Sequence, residues 1–247
     1  MQHRENTHWS AGRHMRRTHA YPIFGALLAL MMVALLAACS GTSAPQSAAL
    51  LKAAQDKFNA NTSFHFVMQA TNLGTAPNDV PNIQNAEGDV QRPDKLSATG
   101  YVTLNGLGIN TKIVIISGKA WYQIPIFGFQ EDDSYAEFMQ IFDTQNGVGN
   151  LLTQLKNPSA PQDSSVNNNS CWKITGDVDP KLVSAMLGAD ASSTANPKVS
   201  VCIGKSDNQL YSAAVVGSVI AGDKSNTTRT FYLSKFNQPV TITPPTN

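Results

Sequence analysis

Lys95-Leu-Ser-Ala-Thr-Gly-Tyr-Val-Thr-Leu-Asn-Gly-Leu-Gly-Ile-Asn-Thr-Lys-Ile-Val-Ile-Ile-Ser-Gly-Lys-Ala-Trp-Tyr-Gln-Ile124 is the stretch that decides the fold. Asn105-Gly106 sits between two runs of alternating residues, a strong two-residue hairpin signal. Lys95 to Leu104 is the strand before it and Ile109 to Ser117 the strand after it. Gly118-Lys119 turns the chain again into Ala120-Trp121-Tyr122-Gln123-Ile124. Large apolar residues keep one parity: Leu96, Ala98, Val102 and Leu104, then Ile113 and Ile115. Ser97, Thr99, Thr103 and Lys112 take the other. One face of an antiparallel sheet is therefore buried and one is wet.

The pattern extends upstream. Phe64 to Thr71 is a strand with Phe64, Phe66 and Met68 on one face. Asn85 to Val90 is another, after a Pro/Asn-rich loop at 74–82 and before the turn Arg92-Pro93-Asp94. Residues 62–125 thus read as about five strands in a meander, with sequential strands as spatial neighbours. Ahead of them, residues 48–60 form an amphipathic helix with Leu50, Leu51, Ala54 and Phe58 on its apolar face.

Downstream the texture changes at 126–160. Phe127, Phe129, Phe138, Ile141 and Phe142 lie among Gly and acidic residues, and Val148 to Leu155 is a short apolar helix. Glu131-Asp132-Asp133 lacks the ligand spacing of a calcium loop and reads as a solvated acidic turn. Val166 to Gly176 is read as one strand. Asp179 caps a helix with Pro180 in its first turn, through Leu182, Val183, Met186 and Leu187. Lys198 to Ile203, Leu210 to Gly217 and Thr227 to Phe236 are the last strands, and an extended tail follows at 239–245. About eight strands and three helices in this order predict an α+β fold: a strongly curved antiparallel sheet with short helices on one face.

The N-terminus gives the compartment. Arg13, Arg16 and Arg17 precede an apolar run from Ile23 to Ala38, a secretory signal layout. It ends Leu36-Ala37-Ala38-Cys39, which resembles the lipobox of bacterial lipoproteins, in which the Cys takes a diacylglycerol and the signal is cut before it. The alternatives are an uncleaved membrane anchor, whose length it approaches at roughly 18–20 residues, and a plain signal with an incidental Cys. Ser40 to Ser47 is small and polar, which suits a tether behind a lipid anchor. The division expected is residues 1–38 as signal, 39–47 as tether and 48–247 as one folded domain, on the extracytoplasmic face of the cell membrane.

Removing 38 residues leaves 247 − 38 = 209, enough for one core. Four Arg and one Glu leave with the signal, so 18 − 4 = 14 basic and 17 − 1 = 16 acidic residues remain. No basic run stands out, and nucleic acid is not an expected partner. Four of five His also leave; His65 remains, on the polar parity of its strand and expected to face solvent. A His-based metal cluster is thereby excluded, a Ser-His-Asp arrangement would have to use His65 alone, and no G-x-S-x-G elbow occurs. No enzyme activity, catalytic residue, metal or cofactor is expected. Cys171 shares the polar parity of its strand with Lys173, and Cys202 lies opposite Val201 and Ile203 in parity. Two Cys on one face of neighbouring strands can bridge, so a Cys171–Cys202 disulfide is predicted.

These features together resemble the LppX/LprA/LprF/LprG-type bacterial lipoproteins. The matching elements are the lipobox Cys39, the 48–60 helix, Ser63-Phe64-His65-Phe66, Gly88-Asp89-Val90 before Pro93, Gly118 to Tyr122, Trp172 to Gly176 and Val240 to Pro245. The resemblance implies a half-barrel similar to the LolA and LolB carriers, with helices on the concave side. It also implies a hydrophobic cavity for long-chain lipids or acylated glycolipids, for transfer or presentation in the envelope. The lining expected is Phe64, Phe66, Met68, Val102, Leu104, Ile113 and Ile115 from the sheet, with Leu151, Leu152, Leu155, Leu182 and Met186 from the helices. The chain is then expected to be a monomer, held to the membrane through Cys39 and binding a lipid or glycolipid. The alternative is an envelope sensor or scaffold that binds a protein partner and has a filled core.

Overall fold

The computed structural model describes residues 45–75, 82–104, 106–186 and 196–246, with Leu104 described by its backbone alone. Cys39, the signal, Leu187 and most of the tether lie outside the described residues. The chain enters through helix α1, Ser47–Ala60. Strands β1 (Ser63–Thr71), β2 (Asn82–Gln91), β3 (Lys95–Leu104), β4 (Leu107–Ile116), β5 (Lys119–Ile124) and β6 (Gly128–Glu131) follow. A 3-10 helix, Asp133–Phe142, and helix α2, Val148–Thr153, come next. Then come β7 (Gln162–Val166), β8 (Asn169–Asp177), helix α3 (Pro180–Met186), β9 (Lys198–Gly204), β10 (Leu210–Val216) and β11 (Thr228–Ser234).

The strands of the described residues join one antiparallel sheet of eleven, in the order β6-β5-β4-β3-β2-β1-β11-β10-β9-β8-β7. The order follows the chain except where β11 returns beside β1, so the meander expected for 62–125 holds. The sheet does not close, because β6 and β7 are its two edges. The short helices cover its apolar face, giving the curved half-barrel. Leu50, Leu51, Ala54 and Phe58 of α1 are the buried residues of that helix, the face the periodicity selects.

Three sequence expectations need correction. The strand expected at 166–176 is β8, which starts only at Asn169, and a strand not expected, β7, pairs ahead of it: Asn167 and Asn168 turn between them at φ 47° and 64°, a left-handed conformation that Asn tolerates. The 126–142 stretch contains an edge strand and the 3-10 helix, capped where the Asp132 carboxylate accepts from the Ser134 amide. With these two strands added to the nine segments read as strands, the described residues hold eleven. Finally, His65 is not solvent-facing. Its side chain is 13% exposed, with Nδ1 2.8 Å from Asp89 Oδ1 and Nε2 3.2 Å from Glu87 Oε1. Those two residues lie on the adjacent strand, with Asp89 directly opposite.

Cys171 and Cys202 form a disulfide between β8 and β9, with Cα atoms 5.5 Å apart. Both side chains are buried, although their parity is the polar one. Arg92, in the β2–β3 turn, ties three elements together. Its Nη1 donates to the carbonyls of Phe58 and Asn61 at the end of α1, and its Nη2 donates to the Phe142 carbonyl at the end of the 3-10 helix. The guanidinium lies 4.5 Å over the Phe58 ring. Burial lowers its pKa to about 10 against the opposing pull of Asp143, so it stays charged at neutral pH.

Candidate ligand cavity

The two halves of the concave face are filled differently. Over β8 to β11, helices α1, α2 and α3 lay Phe58, Leu152, Val183 and Met186 against Ile174, Val199, Val201, Ile203 and Leu210, all in one buried cluster. Over β1 to β5 the cover is the 3-10 helix. Its apolar residues Tyr135, Phe138 and Ile141 repeat every third position, the period at which a 3-10 helix stacks side chains on one face. Between that helix and the sheet lies a cavity of about 320 Å³.

Its sheet wall is built from Phe66, Met68, Ile83, Ala86, Leu96, Ala98, Val102, Ile109, Ile113, Tyr122, Ile124 and Phe231. Its helical wall is Tyr135, Phe138, Ile141 and Phe142. Thr99, Gly100, Thr111 and Gln123 are the remaining lining residues, so polar groups are few. Burial pushes the Tyr135 hydroxyl pKa up, with Tyr122 and Asp132 adding to it, so it stays neutral. An aromatic plug closes the inner end: the Phe142 ring lies 5.4 Å from Phe64, 5.0 Å from Phe66 and 6.2 Å from Phe231. The other end is open. Along β3 the exposure rises from 3% at Leu96 and 7% at Ala98 to half-buried Val102, and Ile109 and Ile124 beside it are also half-buried.

Of the expected lining, Phe66, Met68, Val102 and Ile113 face this cavity. The structure places Phe64, Ile115, Leu151, Leu152, Leu155 and Met186 in the packed core, with Leu182 half-buried against it. Phe64 is taken up by Phe58 and Phe142, and Ile115 and the helix residues pack where side chains fill the space. The side chain of Leu104 lies outside the described residues. Sequence reasoning missed Ile83, Ala86, Ile109, Ile124 and the whole 3-10 wall. Strand parity applied to the full length of the two strands already read would have found Ile109 and Ile124; the i, i+3 repeat of Tyr135, Phe138 and Ile141 would have found the helical wall.

Among the described residues no group of three or more His, Cys, Asp or Glu side chains is placed to hold a metal ion. No helix among them is long and apolar enough to cross a membrane.

The chain is thus an open antiparallel half-barrel with short helices on its concave face and an apolar cavity under one of them. The chain belongs to the LppX_LprAFG lipoprotein family, which it matches over residues 46–242. It is 25% identical over 231 residues to the lipoarabinomannan carrier protein LprG of Mycolicibacterium hassiacum, covering 87% of this chain and 94% of that one. It is 26% identical over 155 residues to lipoprotein LprA of Mycobacterium tuberculosis, 60% of this chain and 61% of that one. Among solved structures, LprF from Mycobacterium bovis superposes with a TM-score of 0.64 at 17% identity, over 83% of this chain and 100% of that one. LppX from Mycobacterium tuberculosis superposes at 0.58 and 19% identity, over 80% and 98%. These two structures share the fold.

Proposed function

We propose that the chain is a lipid-anchored carrier that takes an acyl chain of a lipid or glycolipid into the cavity beneath the 3-10 helix, for transfer or presentation in the cell envelope. One observation carries the reading: an apolar cavity, open at one end and closed by an aromatic plug, in a sheet whose other half is packed solid. The name of the LprG relative, a lipoarabinomannan carrier, supports it.

The physical driving force is burial. Each methylene removed from water contributes about 0.8 kcal/mol, so ten give about 8 kcal/mol before the cost of ordering the chain. A cavity of about 320 Å³ is at the lower end of ligand pockets. It holds one chain, and a second requires the 3-10 helix to move outward. Thr111 and Gln123 near the mouth offer hydrogen bonds to an ester or a head group, which stays in water. Under this reading Cys39 carries the lipid anchor, residues 40–47 are its tether, and the folded domain follows. The chain acts as a monomer and not as an enzyme.

Uptake of a fluorescent fatty-acid probe by the purified full chain checks this. Saturable binding near one probe per chain, displaced by palmitate, is expected. A linear signal with no saturation would contradict it, and would leave the sensor or scaffold alternative.

A further inference from the structure

Four large apolar side chains are exposed among the described residues: Leu107 at 67%, Ile126 at 99%, Phe127 at 72% and Val216 at 40%. They are not scattered. Leu107 opens β4 opposite Leu104, Ile126 and Phe127 turn the chain from β5 to β6, and Val216 ends β10 opposite Lys198 and Thr228. The register runs from Ile124 and Leu104 through Asn82 and Thr71 to Thr228, Val216 and Asp177, so all four lie at one end of the sheet. The cavity opens toward that same end. Leu107 shares the strand parity of Ile109 and Ile113 but lies beyond the cavity lining, on the rim outside it.

Charge is distributed to match. Residues 96–111 and 120–130 contain no Asp, Glu, Lys or Arg. The opposite end of the same strands carries Asp94, Lys95, Lys119, Glu131, Asp132 and Asp133. The chain also enters at this end of the sheet, on the side of β8 to β10, where Asp177 and Lys198 form an ion pair, away from the uncharged tips of β3 to β6. Ser47 Oγ donates to the Ser159 carbonyl, and the Ser159 amide donates to Thr175, two residues before β8 ends at Asp177. Ser47 is the eighth residue after Cys39, a covalent reach of at most roughly 29 Å.

We infer that this rim is a membrane-docking surface: Leu107, Ile126 and Phe127 enter the boundary between head groups and acyl chains and seat the cavity mouth on the bilayer. Apolar side chains on uncharged hairpin tips insert there without desolvating a charge. Such a surface gives a lipid chain a path from bilayer to cavity that does not cross water. The inference deepens the carrier reading and rests on it for that last step.

The test uses the full lipidated chain in phosphatidylcholine vesicles. With Phe127→Trp, brominated acyl chains are expected to quench the new indole, whereas Lys119→Trp at the other end stays unquenched. Because the tips are uncharged, raising salt from roughly 0.05 to 0.5 M leaves the quenching unchanged. The triple variant Leu107→Ser, Ile126→Ser, Phe127→Ser is expected to take a fatty-acid probe from solution as the parent does, but from vesicles roughly tenfold or more slowly. No quenching at Phe127→Trp, or parent-like transfer by the triple variant, overturns the docking surface. A Phe127→Trp signal that follows protein concentration instead of bromolipid assigns the rim to a second copy, and overturns it too. A parent chain that is quenched yet takes no probe keeps the docking surface and removes the carrier reading.

Discussion

Val102→Trp is expected to abolish acyl uptake while leaving the fold intact. Val102 lines the cavity near its mouth and is half-buried, so an indole there points into empty space and not into packed core. Overpacking strain, which makes small-to-large changes destabilising in cores, is therefore small at this position. The indole occupies room for about four methylenes, which at 0.8 kcal/mol each is about 3 kcal/mol, or about a hundredfold in Kd. Equilibrium titration with the fatty-acid probe, beside a thermal melt, reads both quantities. Parent-like affinity in a folded Val102→Trp protein would show that the ligand does not use this space.

Asp223→Asn is expected to cost about 3–5 kcal/mol of stability, the usual loss when one partner of a buried ion pair is removed. Asp223 and Arg229 meet at 2.7 and 2.8 Å in a two-pronged pair, with side chains 3% and 10% exposed. Asp223 Oδ2 also accepts from the amides of Val219 and Ile220 at 3.0 Å each, pinning the loop after β10. Burial alone would raise the Asp223 pKa. The hydrogen bonds from Arg229 and from the Ile220 and Val219 amides outweigh it and hold the carboxyl below its ordinary value. A carboxyl lowered in the folded state contributes its full stability above the unfolded value near pH 4. That contribution is lost as pH falls through the lowered folded value. Denaturant titrations between neutral and acid pH should show the parent losing stability in that window and Asp223→Asn losing less, from a lower start. Equal acid slopes in the two proteins would contradict the assignment.

The sheet was legible because each of its devices is local. Asn105-Gly106, Gly118-Lys119 and the alternation of Leu96, Ala98, Val102 with Ser97 and Thr99 specify hairpins wherever they occur. The α1 face was legible for the same reason: Leu50, Leu51, Ala54 and Phe58 share one side of any helix. Asn167-Asn168 carried a turn signal of the same kind, but the residues before it, Gln162 to Ser165, are all polar, so the short strand ahead of the turn went unread. The 3-10 helix was harder, since a three-residue period is weaker than the two periods that mark ordinary helices and strands. Which half of the concave face is hollow was not legible at all. Parity marks Phe66, Met68, Val102 and Ile113 in the same way as Ile115, Val199 and Val201. The difference arises from tertiary placement: α1 lies over β9 and β10, with α2 packed on α1, and together they fill that half, while β4 and β5 receive the 3-10 helix.

That asymmetry is what makes the fold a container. The disulfide and the packed cluster keep one half rigid, and Arg92 fixes the inner end of the lid helix to α1. The other end of that helix is held too, where the Asp133 carboxylate accepts from Lys119 Nζ and the Ala120 amide, so the cavity opens at the opposite end of the strands, beside Ile109 and Ile124.

Native mass spectrometry of the full chain, isolated from membranes in mild detergent, tests the central claim most directly. The expected spectrum shows the protein with a co-purified acyl lipid released at higher collision energy, and with that adduct missing from Val102→Trp. A single lipid-free species in the parent, or an adduct equally retained by Val102→Trp, would contradict the cavity as the site of binding.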